Sequence, residues 1–327
     1  IGVAAAMAIL ADKSVVHPPL EVLVTVDEET GMYGAFALEG GLLQGKTLLN
    51  LDSEAEGELY VGCAGGVDTT AKFAYTPVEV EEGDVAVKVS VTGCKGGHSG
   101  CDIHLQRANA NKLLFRFLKD AVANFEARLA TVEGGSLRNA IPREASAVIT
   151  VPAEGVDEVM DLVAEYEDLF VTEYDGVEDN IRFTAEEVTC PTTELPEDVQ
   201  DFLIHAITAC PHGVYRVIPE MPDVVETSNN LAMLTTADNC ITVMCLTRSS
   251  VESRKEELQE IIQSVFALAG AEVEFSGSYP GWKPNPKSEI LEVAVASYKR
   301  LFGTDAKVMA IHAGLECGLF LDKYPSL

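Results

Sequence analysis

Residues 20–26 read LEVLVTV, a nearly continuous apolar and β-branched run. A run of this kind is the signature of a strand buried on both faces, which requires helices on both sides of its sheet. Residues 46–51, KTLLNL, give the same signal. Both runs end in acid. Asp27, Glu28 and Glu29 follow the first, and Asp52 follows the second. Open α/β sheets place their ligands at such strand ends. The alanine-rich start, residues 1–11, reads as a buried helix and not as a signal peptide, because no basic flank precedes it. Near the other end, residues 290–302 have helical spacing and residues 307–311 read as a further buried strand. These segments predict an α/β domain.

Between them the periodicity changes. Val85, Val87, Val89 and Val91 alternate with Ala86, Lys88 and Ser90, the period of a half-exposed strand. Leu114, Phe117, Leu118, Ala121 and Phe125 then follow helical spacing. Ala145, Ala147, Ile149 and Val151 alternate, Val156 to Tyr166 is helical again, and Ile181, Phe183 and Ala185 close with a strand. The pattern is approximately βαββαβ, the ferredoxin-like arrangement. A second, similar run begins with a helix at Val199 and ends with a strand over residues 271–275. Pro280, Gly281 and the KPNPK stretch then mark a crossing back. The expected organisation is an α/β domain of residues 1–65 and 278–327, interrupted by an α+β domain of residues 66–277 built of two ferredoxin-like units.

The composition narrows the function. The chain carries 23 basic and 52 acidic residues in 327, a formal charge of −29. Such a charge disfavours nucleic acid and anionic membranes as partners. No apolar run reaches the roughly 18 residues of a membrane span. The eight cysteines form no CxxC pair and read as reduced, mostly buried thiols of a cytoplasmic protein. The six histidines form no HExxH, so a zincin-type protease is unsupported.

Five constellations stand out. In Asp27-Glu28-Glu29-Thr30-Gly31 and Asp52, acidic side chains crowd two strand ends, which is costly unless a cation or proton lies between them. A pair of divalent metals there can activate water; a solvated turn with acids at a helix start is the plainer alternative. In Gly96-Gly97-His98-Ser99-Gly100, glycines let a histidine approach a ligand closely, where it can stabilise an oxyanion, or it is simply a turn histidine. Leu137-Arg138-Asn139-Ala140-Ile141-Pro142 reads as a loop entering a strand. Arg248 ends the apolar strand CITVMCLTR, where it can clamp a carboxylate or serve as an ordinary salt-bridge partner. The stretch from Ile311 to Gly318 reads as a strand-to-helix turn with glycines on either side of Glu316.

Taken in order, VDEETGMYGA, LLNLDSEAEGELYVGCAGG, GCKGGHSG, NANKLL, LRNAIPREA, VVETSNN, SYPGW and IHAGLECGLF resemble the aminoacyl-histidine dipeptidases, or cytosolic non-specific dipeptidases, of the di-zinc aminopeptidase, aminoacylase and carnosinase clan. The resemblance implies hydrolysis of unblocked dipeptides, Xaa-His included. It implies two divalent metal ions, zinc first, with cobalt or manganese as alternatives. Glu28 is then the general base toward a metal-bridging water, Glu29 and Asp52 are metal ligands, and His98 stabilises the oxyanion. Asn139 and Arg248 position the substrate, Gly314 lines the pocket, and Glu316 has no assigned role. A homodimer through the inserted lid domain is also implied.

The chain departs from the family pattern in one respect. The family's HxD motif and bridging carboxylate match nothing upstream, its last zinc histidine matches nothing downstream, and His17 and His312 do not take those places. The expectation is a sequence truncated at both ends, whose metal shell is incomplete and which is inactive alone. An aminoacylase or carboxypeptidase of the same clan, or a non-catalytic binding and dimerisation module, are the other readings.

Overall fold

The computed structural model describes residues 1–52 and 55–327. It divides into two units. One comprises Ile1–Gly65, Ser249–Glu252 and Tyr279–Leu327, and the other Gly66–Arg248 and Ser253–Ser278.

The second unit is built on a nine-stranded sheet. Its order from one edge is Glu272–Tyr279, Gly65–Ala74, Cys240–Ser249, Met221–Ala237, Arg128–Gly134, Ala145–Pro152, Asp84–Thr92 and Arg182–Val188, with Gly213–Ile218 paired to Met221–Ala237. Each half is a βαββαβ unit in which the fourth strand flanks the first, the first flanks the third and the third flanks the second. In one half the helices are Ala110–Asn124 and Val156–Glu173; in the other they are Glu197–Ala209 and Glu252–Leu268. The two second strands join edge to edge, Leu234 opposite Gly134.

The halves are nested. Gly65–Ala74 is the first strand of one half but precedes every element of the other. The sequence reading started the second run at a helix and therefore lacked its first strand, which lies far upstream.

One core serves both halves. Val87, Val89 and Val91 point into it with Ile149 and Val151, as the two-residue alternation requires. Leu113, Leu114, Phe117 and Leu118 present the apolar stripe of the first helix to the same core. Phe117 meets Phe183 edge to face, with centroids 4.9 Å apart.

The first unit has a smaller framework. Strands Glu58–Cys63 and Lys307–Ile311 pair in parallel, and helices Glu289–Phe302 and Glu316–Lys323 flank the second of them in sequence. Ala35, Leu319 and Phe320 form its buried cluster, with Leu23, Met32, Leu48 and Tyr279 packed against them.

Three expectations fail here. Residues 20–26 and 46–51 do not form strands, and Val24, Val26 and Leu49 are 61%, 66% and 65% exposed. The helix Gly2–Ala11 forms, but none of its residues is buried. A strand exists only through its ladder partner, and no described residue pairs with either segment. The helix is apolar all round, so no single face selects a neighbour for it. No helix is long and apolar enough to cross a membrane among the described residues.

Candidate active site

In the first unit the chain turns sharply after residue 26. Asp27 adopts a left-handed conformation, φ 55°, uncommon for a residue with a side chain. The single helical turn Glu28–Gly31 follows, and the Gly34 N–H donates to the Val26 carbonyl at 3.0 Å. Glu28 is thereby half-buried and Glu29 exposed. Burial raises the Glu28 pKa above the usual glutamate value, and the charges of Glu29, Glu316 and Asp52 push it further.

Asp52 is held by a local device. Asn50 accepts the Asp52 N–H on Oδ1 at 2.8 Å, and its amide nitrogen reaches the Cys317 sulfur at 3.6 Å. The turn carrying Asp52 is thus tied to the residue beside Glu316. Ser53 and Glu54, next in that motif, lie outside the described residues. Glu316 is buried, and its Oε1 has no hydrogen-bond partner among the described residues. A buried carboxylate oxygen without a partner is costly, so Glu316 joins Glu28, Glu29 and Asp52 as a fourth acid of this site. Sequence reasoning left it without a role, although an acid between glycines at a strand-to-helix turn was the available signal. A Cβ on Gly314 would lie 3.0 Å from the Tyr279 ring and 3.3 Å from Met32 Cε, a tight fit that those side chains would have to relieve by shifting.

These donors are all carboxylates. Among the described residues, no group of three or more His, Cys, Asp or Glu side chains is placed to hold a metal ion. Zinc sites are built from three or four convergent donors, commonly with nitrogen or sulfur. The residues present do not by themselves fit the two-metal centre that the resemblance implies.

The second unit gathers His98, Asn139 and Arg248 from three distant segments. Gly97–His98 pairs with Ala140–Ile141 as a short antiparallel ladder. His98 Nδ1 accepts the N–H groups of Gly100 and Cys101 at 3.2 and 3.0 Å. An imidazole that accepts on Nδ1 is neutral and carries its proton on Nε2. Consistent with this, burial and then the Arg248 charge lower the His98 pKa, against an opposing effect of Asp102. Asp102 accepts the His98 N–H at 2.8 Å, and Arg107 donates to the Gly96 carbonyl at 2.6 Å. A Cβ on Gly97 would fall 2.4 Å from Arg107 Nη1 and 2.6 Å from Asp102 Oδ2, at φ +136°. Only glycine fits between that pair.

Arg248 is buried and donates from Nε to Ser99 Oγ at 3.3 Å. The Ser99 N–H donates to the Asn139 carbonyl at 2.8 Å. Asn139 itself is exposed. Arg138 pairs with Asp68, whose pKa is raised by burial against the lowering charges of Arg138 and Arg248. The arrangement offers a neutral N–H donor, a buried guanidinium and an exposed amide, which together suit a polar substrate bearing a carboxylate and a carbonyl.

A family model described as a peptidase dimerisation domain, M20_dimer, matches residues 89–178. The cytosol non-specific dipeptidase of Escherichia coli (strain K12) is 44% identical over 327 residues, covering 100% of this chain and 67% of that protein. The crystal structure of aminoacylhistidine dipeptidase from Vibrio alginolyticus superposes with a TM-score of 0.95 at 47% identity, covering 99% of this chain and 66% of that one. The chain therefore spans about two thirds of the length of these relatives. At this identity and coverage, the chain belongs to the family of M20 peptidases that contains these dipeptidases.

Proposed function

We propose that the protein hydrolyses unblocked dipeptides, Xaa-His among them. The observation that carries this reading is Glu28: it is half-buried beside three other acids, and burial followed by their charges raises its pKa above the usual glutamate value, as suits a general base. Glu28 takes the proton of the attacking water and passes it to the leaving amine. The His98 Nε2–H donates a hydrogen bond to the oxygen on which charge develops and keeps its proton. Arg248 binds the carboxylate of the dipeptide and Asn139 orients it, with Gly314 lining the pocket. Glu29 and Asp52 are the acids we assign to divalent metal binding, zinc first, with cobalt or manganese as alternatives. The described residues do not complete that shell.

The first unit is read as catalytic and the second as a lid. A homodimer through the lid is supported by the match of residues 89–178 to a dimerisation domain. A cytoplasmic location rests on the name of the E. coli relative.

The test is hydrolysis of free and N-blocked dipeptides by the full-length protein supplied with zinc. Turnover of free dipeptides with rejection of blocked ones supports the proposal. Preference for blocked substrates points instead to an aminoacylase or carboxypeptidase activity.

A further inference from the structure

We propose that Asn230 is a positioning residue that sets where the Asn139 side chain stands. This rests on the reading of Asn139 as a group that touches substrate. Asn230 lies on the strand Met221–Ala237 and is fully buried. Its amide nitrogen donates to the carbonyls of Arg138 at 3.1 Å and Ala140 at 2.8 Å, the two that flank Asn139. The carbonyl between them, that of Asn139, takes the Ser99 N–H at 2.8 Å. Three successive carbonyls are therefore fixed by two residues from other segments. Ser99 also accepts from Arg248 and directly follows His98, so the same contacts tie Asn139 to the other two candidate substrate groups.

The other ties of the loop lie on either side of Asn139: Arg138 pairs with Asp68, and Ala140 faces His98 in the short ladder. Leu137 is 59% exposed and Asn139 is exposed, so no apolar burial anchors these residues. Asn230 spends both amide protons on the loop, while its Oδ1 has no hydrogen-bond partner among the described residues. A side chain buried with half its hydrogen-bonding capacity unused is a poor stabilising device. Its geometry serves the loop.

The experiment compares the unsubstituted full-length protein, supplied with zinc, with Asn230→Ala, Asn230→Ser, Asn139→Ala and the double variant Asn230→Ala/Asn139→Ala. Amide hydrogen exchange and the kcat and KM for an unblocked dipeptide are measured. In Asn230→Ala, the Ser99 and Ala140 amides should exchange at least ~10-fold faster, with the strand Ala145–Pro152 unchanged. Its kcat/KM should fall roughly 10- to 100-fold, and the double variant should be no worse than the poorer single variant. Asn230→Ser, whose hydroxyl reaches one carbonyl at a time, should lie between. Unchanged exchange, additive losses, or unfolding of both Asn230 variants would overturn the proposal. If the unsubstituted chain hydrolyses no dipeptide, the assigned activity fails instead, and the exchange data alone decide whether the clamp exists.

Discussion

Arg248 Nε lies 3.3 Å from Ser99 Oγ, and both residues are buried. A guanidinium held this way is pre-ordered, and lysine cannot reproduce its fork. Arg248→Ala is expected to lower kcat/KM for free dipeptides about 10- to 100-fold, the scale of one hydrogen bond to a charged group. Arg248→Lys should recover little. Dipeptide amides, which lack the carboxylate, should be handled alike by all three proteins. Steady-state kinetics on matched acid and amide substrates checks this, and an equal loss on amides would remove the carboxylate assignment.

Glu28 and Glu316 are coupled through charge. Because neighbouring acids help to raise the Glu28 pKa, the acid limb of kcat/KM against pH should fall above the ordinary glutamate range. Glu316→Gln removes one of those charges. The Glu28 pKa then drops and the limb moves to lower pH, while Glu28→Gln should cost about 10²- to 10⁴-fold in kcat. A limb that stays in place in Glu316→Gln would separate the two residues.

The pattern of residues disclosed elements more readily than neighbours. The valines at 85, 87, 89 and 91 and the stripe from Leu114 to Phe125 carried clear periods, and the structure contains the strand and helix they imply. The nesting of the two βαββαβ halves was hidden, because Gly65–Ala74 pairs with Cys240–Ser249 and Glu272–Tyr279 across more than half the chain. The signal was arithmetic: the later run was one strand short. Residues 20–26 misled for a related reason, since an apolar run records what a segment would prefer to bury and not whether a partner is beside it. At the site, the glycines around His98 were visible in the sequence but left it open between an oxyanion donor and a turn histidine. Asn230 and Glu316 could not be read at all, because what they contact depends on what faces them.

His98 presents Nδ1 to two backbone N–H groups, so its proton belongs on Nε2. Nitrogen NMR of the labelled chain near neutral pH should show that single neutral tautomer. His98→Ala should lower kcat by about 10²- to 10³-fold, the scale for an oxyanion donor, with KM little altered. An imidazolium at neutral pH, or a loss confined to KM, would count against the donor role.

His212 supplies a pH test of the second unit that is independent of catalysis. Its Nδ1 accepts the Leu231 N–H at 3.3 Å and lies 3.2 Å from the Asn109 amide nitrogen. Protonation there would discard an acceptor. Burial, then the charge of Lys112, lowers its pKa to about 3. The unfolded chain takes up this proton near pH ~6.5, whereas the folded chain resists it until about 3. The unfolded state therefore binds more protons throughout that window, and stability falls as pH falls, by up to about 1.4 kcal/mol per pH unit from this one site. Above the window the contribution is fully present. His212→Gln keeps an acceptor for Leu231 but cannot titrate, so its Tm should decline less steeply than that of the unsubstituted chain between pH ~6.5 and ~4. Parallel Tm curves for the two proteins would show that His212 does not carry the acid sensitivity.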